Sequence, residues 1–154
     1  MDITLNEITV RDLVNGFSDK GEQGVVGYNG LLDIRPPYQR EFIYNEKEQR
    51  AVINTIRNNF PLNVMYWAKR EDGTYEVLDG QQRTLSICNY VNGGFHFDMQ
   101  YFHNLLDEEQ NQILDYKCPP EIVELSVSVA LPDYDLAGAD DDANGILKAS
   151  FLIY

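Results

Sequence analysis

The fold is decided by residues 77–85, which read Val-Leu-Asp-Gly-Gln-Gln-Arg-Thr-Leu. Val77 and Leu78 favour a strand, whereas the apolar residues that follow recur at helical spacing; they are Leu85, Ile87, Cys88 and Val91. Gly80 lies between the two patterns and permits a tight turn in which a ligand can approach the backbone closely. The stretch therefore predicts a strand that ends at a polar glycine turn and leads into a helix.

The chemistry of this turn has two interpretations. The free N–H groups of a first helical turn, with the positive end of the helix dipole behind them, form an anion site, and phosphate is the usual anion. Arg83 could then grip phosphate oxygens, and Asp79 could hold a hydrated Mg²⁺ or orient a water. Alternatively, Asp79 N-caps the helix and Arg83 pairs with a surface carboxylate. Spacing alone does not separate the two interpretations.

A second motif lies upstream at residues 34–40, which read Ile-Arg-Pro-Pro-Tyr-Gln-Arg. The proline pair forces an extended chain, so it would hold the side chains that follow in a fixed presentation. Tyr38 could stack on a base and Arg40 could meet a phosphate. The alternative is a rigid connector with Tyr38 packed on the core, and the residues by themselves favour that alternative.

Taken together, the two motifs and the apolar strand that runs into Asp79 resemble the N-terminal domain of the GmrSD-type restriction proteins. The resemblance in order and spacing covers residues 8–129. It implies an α+β fold of the ParB/sulfiredoxin-like type, with a small mixed sheet and packed helices. It also implies the binding and hydrolysis of a nucleoside triphosphate in a prokaryotic system of DNA defence.

The resemblance assigns roles to residues of both motifs. The expected catalytic residues are Asp79, Gln81, Gln82 and Arg83. The expected nucleotide-binding residues are Tyr38, Gln39, Arg40, Gly80, Arg83 and Thr84. Asp79 is also the expected ligand of Mg²⁺, which would enter with the nucleoside triphosphate. A module that senses nucleotide without hydrolysing it, or that mediates an interaction, is the alternative, so whether the domain is an NTPase stays open.

The charge of the chain limits its partners. Net charge is −13 over 154 residues. Residues 1–83 hold 10 Lys and Arg against 13 acidic residues, a net of −3, and residues 84–154 hold 2 against 12, a net of −10. Because a free-standing DNA binder carries a basic surface, DNA is expected to be reached only indirectly, through a separate domain or subunit. No stretch is apolar over the length of a membrane span, so no membrane partner is expected.

Length and cysteine usage predict a single cytoplasmic domain. Cys88 and Cys118 are expected to be free thiols in a reducing compartment, and the N-terminus lacks the pattern of a secretory signal. We expect the nucleotide-binding domain at residues 1–130 and an acidic segment, irregular or truncated relative to the family, at residues 131–154. The apolar run at 151–154 would favour association if exposed, so a homo-oligomer stays among the expected partners.

Two helices are predicted before the key turn. Thr9 is the expected N-cap of a short helix within residues 6–17. Asn45 and Glu48 form the expected capping box of a longer helix that ends before Pro61. Its buried stripe is predicted to comprise Val52, Ile53, Ile56 and Phe60, and the arginines of its other face, Arg50 and Arg57, are expected in solvent.

Strands and loops fill the remainder of the pattern. Residues 63–69 and 74–78 predict a hairpin that supports the key turn, with Tyr66 and Trp67 in the core. The other predicted segments are a loop at 18–24, one or two strands within 24–34, a helix from Gln81 to about Val91, and a strand or packed loop at 95–102. A final helix is predicted to be capped by Asp107 with Gln110 as the reciprocal residue, before a strand at 121–129.

Overall fold

The computed structural model describes residues 2–5, 7–37 and 45–124. Its strands are β1 (Asp2–Leu5), β2 (Ile8–Thr9), β3 (Ser18–Asp19), β4 (Val25–Gly27), β5 (Leu32–Arg35), β6 (Met65–Lys69), β7 (Tyr75–Asp79), β8 (Lys117–Cys118) and β9 (Pro120–Glu124). Its α-helices are α1 (Val10–Val14), α2 (Glu46–Arg57), α3 (Gln81–Val91) and α4 (Asp107–Leu114), and the 3-10 turns are Gly21–Gln23 and Phe102–Asn104. None of the described helices combines the length and the apolar character that a membrane span requires.

One mixed sheet organises the fold, in the order β1-β9-β6-β7-β5-β4-β3. The pairs β6–β9 and β5–β7 are parallel, and the other neighbours in this sheet are antiparallel. A separate two-stranded sheet joins β2 to β8. The mixed α+β class predicted from the sequence is confirmed, and its ParB/sulfiredoxin-like character stays a prediction.

The predicted hairpin is present as β6 and β7. Gly73 occupies the left-handed region at φ 88°, as the Asp-Gly turn requires. Thr74 closes the turn, since its backbone N–H donates to the Asp72 carboxylate at 2.9 Å and its carbonyl accepts from the Arg70 N–H at 2.8 Å. The hairpin brings the C-terminal end of β7 to the centre of the sheet.

Helix caps decide where α1 and α2 begin. The Thr9 hydroxyl accepts from the backbone N–H of Asp12 at 3.2 Å, and the Asn45 side chain accepts from that of Glu48 at 2.8 Å. Both predicted N-caps are therefore confirmed, although α1 is only five residues long. Within the segment predicted as loop 18–24, Ser18 and Asp19 form the edge strand β3.

Three expectations about helix surfaces were wrong. Phe60 is 59% exposed because α2 ends at Arg57 and the backbone then turns through Asn59 at φ 55°. Arg57 is not a solvated side chain, since its guanidinium donates to the Glu109 carboxylate at 2.9 Å. Arg50 likewise donates to the His96 carbonyl at 3.1 Å. Contacts from residues distant in sequence thus replace water on this face.

The predicted cap of α4 was wrong by one residue. Leu106 is the N-cap, and its backbone N–H donates to the Glu109 carboxylate at 3.2 Å. Gln110 does not close the cap, because its amide donates to the carbonyls of Phe102 and Leu105. The Gln110 amide instead connects α4 to the 3-10 turn Phe102–Asn104 and to Leu105, which follows it.

The core lies between the sheet and the helices. Residues from all four α-helices join one hydrophobic cluster with inward residues of β5, β6, β7 and β9. Trp67 is buried there and packs its ring against Tyr28 and Tyr75, with ring centroids 5.6 Å apart in both pairs. The prediction that Trp67 is a core residue is confirmed, and Tyr66 beside it is half-buried. The predicted domain boundary at residue 130 and the segment 131–154 lie outside the described residues.

Both cysteines are buried free thiols, on α3 and β8. Burial raises the pKa of the Cys118 thiol to about 12. Burial also raises the pKa of Cys88, and the nearby Cys118 raises it further. Neither thiol is therefore ionised in the folded protein near neutral pH.

We predict that the folded state loses stability above pH 9. An unfolded cysteine ionises at its ordinary pKa of 9.0, whereas folded Cys118 keeps its proton to about pH 12. The unfolded state then binds fewer protons than the folded state, so the free energy of unfolding falls by about 1.4 kcal/mol per pH unit for each such thiol. Urea denaturation between pH 8 and pH 11 measures this slope. In Cys118→Ala the slope should be shallower by the contribution of one thiol, and an unchanged slope would contradict the assignment.

Candidate functional site

The predicted turn is formed by the end of β7, Gly80 and the first turn of α3. Gly80 is the N-cap residue of α3 at φ 97° and ψ 17°, in the left-handed region, and no side chain caps the helix. Asp79 is the last residue of β7. The alternative in which Asp79 N-caps the helix is therefore wrong, because the N-cap position belongs to Gly80.

Gly80 is required by its contacts as well as by its backbone. A Cβ at this position would come within 2.8 Å of the Met65 Cγ and 3.2 Å of the Arg83 Nη2. Met65 is itself fully buried at the start of β6. Because neither the strand nor the helix can retreat from a packed core, only glycine fits between them. Met65 was not among the predicted site residues, since nothing in the apolar run 63–69 distinguishes it from its neighbours.

Arg83 is held against the backbone immediately before β6. Its Nη2 donates to the Val64 carbonyl at 3.0 Å. Its Nε is buried and has no hydrogen-bond partner. Within the described ranges no carboxylate lies at ion-pair distance, so no described residue supports the alternative of a surface salt bridge. The guanidinium thus has one fixed end and one buried donor that faces no acceptor.

Two neighbouring polar groups are also unpaired. The Gln82 Oε1 is buried without a hydrogen-bond partner. The Asp79 carboxylate is half-buried, and no partner for it is found among residues 2–5, 7–37 and 45–124. Gln81 is half-buried beside them at the first position of α3. A buried polar atom without a partner costs about 1–3 kcal/mol, and two such atoms, the Gln82 Oε1 and the Arg83 Nε, lie on adjacent residues of this turn.

Thr84 supports the turn from within the protein. The residue is fully buried. Its hydroxyl donates to the Gly80 carbonyl at 2.8 Å, and it lies 3.3 Å from the Met65 sulfur. Its backbone N–H also donates to the Gly80 carbonyl, at 2.9 Å. These contacts fix the left-handed residue, and direct nucleotide contact by Thr84 stays a prediction.

Strand β5, which leads into the upstream motif, ends at the same edge of the sheet as β7. Because β5 and β7 are parallel neighbours, in register at Leu32–Tyr75 and Asp33–Glu76, their C-terminal ends lie on one side of the sheet. Arg35 ends β5; it is buried, and its Nη2 donates to the Gly21 carbonyl at 2.7 Å. The predicted binding residues Tyr38, Gln39 and Arg40 follow from there but lie outside the described residues.

The described residues bring few metal-binding side chains to the turn. In the part of the chain that the structure describes, no group of three His, Cys, Asp or Glu side chains could hold a metal ion. Asp79 offers a single carboxylate at the turn. Mg²⁺ is commonly bound by one or two carboxylates together with substrate phosphates and water. The described residues at the turn therefore do not form a dedicated metal cage.

Comparison with protein families identifies the chain. The family model described as the GmrSD restriction endonuclease, N-terminal domain, matches residues 14–141. The chain belongs to this family. The matched range contains both motifs and the whole of the turn at Gly80, and it extends beyond the last described residue, Glu124.

The other comparisons add no relative. No curated protein and no solved structure matches the chain. The family of the GmrSD N-terminal domain is thus established by sequence, and the geometry of the turn rests on the contacts described above.

We predict that Gly80→Ala destabilises the GmrSD N-terminal domain more than Gly73→Ala does. Both glycines have positive φ, 97° and 88°, so both substitutions incur a backbone cost of about 1 kcal/mol. An added Cβ at Gly73 meets nothing within 4 Å, whereas one at Gly80 overlaps Met65. The additional loss at Gly80 should be about 1–3 kcal/mol in the free energy of unfolding, measured by urea denaturation. Equal losses at the two positions would show that the contact with Met65 relaxes freely.

Proposed function

We propose that this domain binds a nucleoside triphosphate, with its phosphates at the N-terminus of α3. The observation that carries the proposal is the pair of buried atoms without partners, Gln82 Oε1 and Arg83 Nε, next to Asp79, whose carboxylate has no partner among the described residues. Buried polar groups are normally hydrogen-bonded, so two such atoms on adjacent residues support a partner supplied by a ligand. A phosphate ligand with bound water would supply both an acceptor and a donor.

The turn offers what a phosphate requires. The N–H groups at the start of α3 point out of the helix, and the dipole of an 11-residue helix lies behind them. The Arg83 guanidinium contributes positive charge, and its bond to the Val64 carbonyl holds it in place before a ligand binds. Preorganised donors of this kind cost little reorganisation when charge develops on the phosphate oxygens.

Hydrolysis is the reaction that these groups would serve best. Phosphoryl transfer needs alignment and neutralisation of charge more than covalent help from the protein. We assign Asp79 to orienting the attacking water, and Gln81 and Gln82 to holding that water by amide hydrogen bonds. Mg²⁺, when bound with the triphosphate, would neutralise charge on its oxygens. Thr84 would act only by holding Gly80.

The family sets the cellular role of the proposed activity. The chain belongs to the N-terminal domain family of a restriction endonuclease, so nucleotide turnover would serve a DNA-restriction system. The net charge of −13 disfavours direct binding of this domain to DNA. We therefore propose that DNA is engaged by a separate domain or subunit, to which this domain reports its nucleotide state.

A second candidate function is nucleotide sensing without hydrolysis. It is favoured by the small number of acid–base groups at the turn, where Asp79 is the lone carboxylate that the described residues supply. A domain of this kind would keep the phosphate contacts and lack turnover. The two functions share the binding step and differ only in the release of phosphate.

We predict that nucleoside triphosphates stabilise the protein through Arg83 and Gln82. A ligand at 100 times its Kd that binds only the folded state adds about 2.7 kcal/mol. Thermal unfolding with each of the four common ribonucleoside triphosphates and Mg²⁺ should therefore show a rise in Tm for the wild type. The rise should be lost in Arg83→Ala and reduced in Gln82→Ala, because each removes an atom that faces the ligand.

The matched control for these variants is Gln100→Ala. Gln100 is exposed, and its described hydrogen bonds, to Phe97, use only its backbone. Its variant should respond to nucleotide as the wild type does. If no triphosphate raises the Tm of the wild type, the turn is structural in this chain and the proposal fails.

We predict that Asp79→Asn separates binding from turnover. The amide keeps the shape of the side chain but lacks the negative charge that orients the attacking water, so phosphate release should fall at least about 100-fold. The nucleotide-induced rise in Tm should persist. Asp12→Asn, an exposed change on α1, serves as the control for loss of one charge. Absence of phosphate release from the wild type at saturating nucleotide would favour the sensor instead.

A further inference from the structure

Exposed apolar side chains are concentrated in one short stretch of the chain. Among the described residues five large apolar side chains are exposed, and three of them, Met99, Tyr101 and Leu106, lie within eight residues. Met99 is 90% exposed and Leu106 is 70% exposed. Single exposed apolar residues are ordinary on a protein surface, whereas a group of them marks a site of contact with another molecule.

Met99 occupies a backbone position that disfavours its side chain. Phe97 and Gln100 exchange backbone hydrogen bonds of 2.9 and 3.0 Å, which close a two-residue turn at Asp98 and Met99. Both turn residues have positive φ, 52° and 63°. Glycine is preferred at the second position of such a turn, and a side chain there costs about 1 kcal/mol. Because Met99 is almost wholly exposed, no described contact of the fold accounts for a methionine at this position.

Ring contacts hold Tyr101 in place beside the turn. Its ring stacks on that of His103, with centroids 5.7 Å apart, and meets the His96 ring edge-on, also at 5.7 Å. His96 is fixed in turn, because its carbonyl accepts from the Arg50 guanidinium at 3.1 Å. Tyr101 is thus an exposed aromatic residue with little freedom left to lose on binding, a property of residues that contribute strongly to interfaces.

The 3-10 turn Phe102–Asn104 connects Tyr101 to Leu106. The Asn104 N–H donates to the Tyr101 carbonyl at 3.0 Å, so the chain folds back between the two apolar residues. The Gln110 amide holds this turn against α4. We call the exposed residues of this stretch the 98–108 surface; its apolar and acidic members are Asp98, Met99, Tyr101, Leu106, Asp107 and Glu108.

The acidic members give the 98–108 surface a negative charge. Asp98, Asp107 and Glu108 are exposed, and none of the three has an ion pair with another described residue. Residues 98–116 contain no lysine or arginine. Complementary charge steers partners together, and like charge repels them. The surface therefore disfavours nucleic acid and favours a cationic partner that also carries apolar side chains.

We propose that the 98–108 surface binds a segment rich in lysine and arginine on the protein that engages DNA. Such a protein carries a basic surface for its own contacts with phosphate. Arginine side chains of the segment would pair with the three acids and stack on the Tyr101 ring, and its apolar side chains would cover Met99 and Leu106. The identity of the partner rests on the proposed function, whereas the properties of the surface do not.

The partner and the nucleotide would occupy opposite ends of one helix. The 98–108 surface follows the C-terminal end of α3, and the proposed phosphate site is at its N-terminal end. An 11-residue helix is about 16 Å long. Both ligands could therefore be bound at the same time, and each can be tested without the other.

A short amphipathic peptide of leucine and arginine, labelled with fluorescein, is the probe for the surface. Its binding to the wild-type chain is followed by fluorescence anisotropy at physiological ionic strength. In one control peptide glutamate replaces each arginine, and in the other serine replaces each leucine. The probe should bind at least about tenfold more tightly than either control, because the surface offers both charge and apolar contacts. Absence of binding by the probe, or equal binding by the arginine–serine peptide, would overturn the proposal.

Variants of the chain locate the bound peptide. Met99→Gly combined with Leu106→Ser should weaken binding at least about tenfold, whereas Phe60→Ser, which removes an exposed apolar side chain elsewhere, should leave it unchanged. Met99→Gly alone should not lower the Tm, because glycine suits the left-handed backbone. A loss of binding as large in Phe60→Ser as in the double variant would contradict the assignment.

Charge variants provide the second comparison. Asp98→Asn combined with Glu108→Gln should weaken binding at least about threefold, and Glu71→Gln, an exposed change on the hairpin turn, should not. Equal effects would show attraction by net charge alone and would overturn the proposal.

Two further measurements distinguish this proposal from its rivals. If sedimentation velocity shows a dimer of the wild type that Leu106→Ser dissociates, the surface binds a second copy and the proposal fails. The nucleotide-induced rise in Tm should be the same in the Met99→Gly, Leu106→Ser variant as in the wild type. Failure of peptide binding and failure of nucleotide binding are therefore separate results.

Discussion

The close approach of Gly80 to Met65 is the contact on which the candidate site depends. With no Cβ between them, the strand β6 and the start of α3 approach closely enough for Arg83 to reach the Val64 carbonyl and for Thr84 to reach the Met65 sulfur. The left-handed conformation of Gly80 then turns the chain from β7 into the helix in one residue. The position of the Arg83 guanidinium beside the start of α3 is a consequence of this one contact.

Much of the fold could be predicted because the signals were local. The caps at Thr9 and Asn45, the turn at Gly73 and the period of α3 each arise from residues a few positions apart, and each is present in the structure. The failures concern long-range contacts. The exposure of Phe60 and the pairing of Arg57 with Glu109 depend on where α4 packs, which residues 46–60 do not encode by themselves.

The candidate site was predictable in its residue types and not in its geometry. The sequence shows Asp79, Gly80, Gln82 and Arg83 in succession, but their spacing fits a capped helix as well as a phosphate site. The structure excludes a cap by Asp79, because Gly80 is the N-cap residue, and it leaves the Arg83 Nε and the Gln82 Oε1 without a hydrogen-bond partner. Met65, at the start of β6, and Val64, just before it, complete the site from another part of the chain, so no pattern within residues 77–85 could indicate them.

The pairing of β1 with β9 has a consequence for biosynthesis. Ile3 pairs with Val123, so the N-terminal strand has no partner until the far end of the sheet has left the ribosome. At 5–20 residues per second this interval is roughly 6–24 s. Over part of it the edge of β6 that later binds β9 is also open, and open strand edges promote association between nascent chains. A domain with this topology is expected to depend on chaperones during synthesis more than its length suggests.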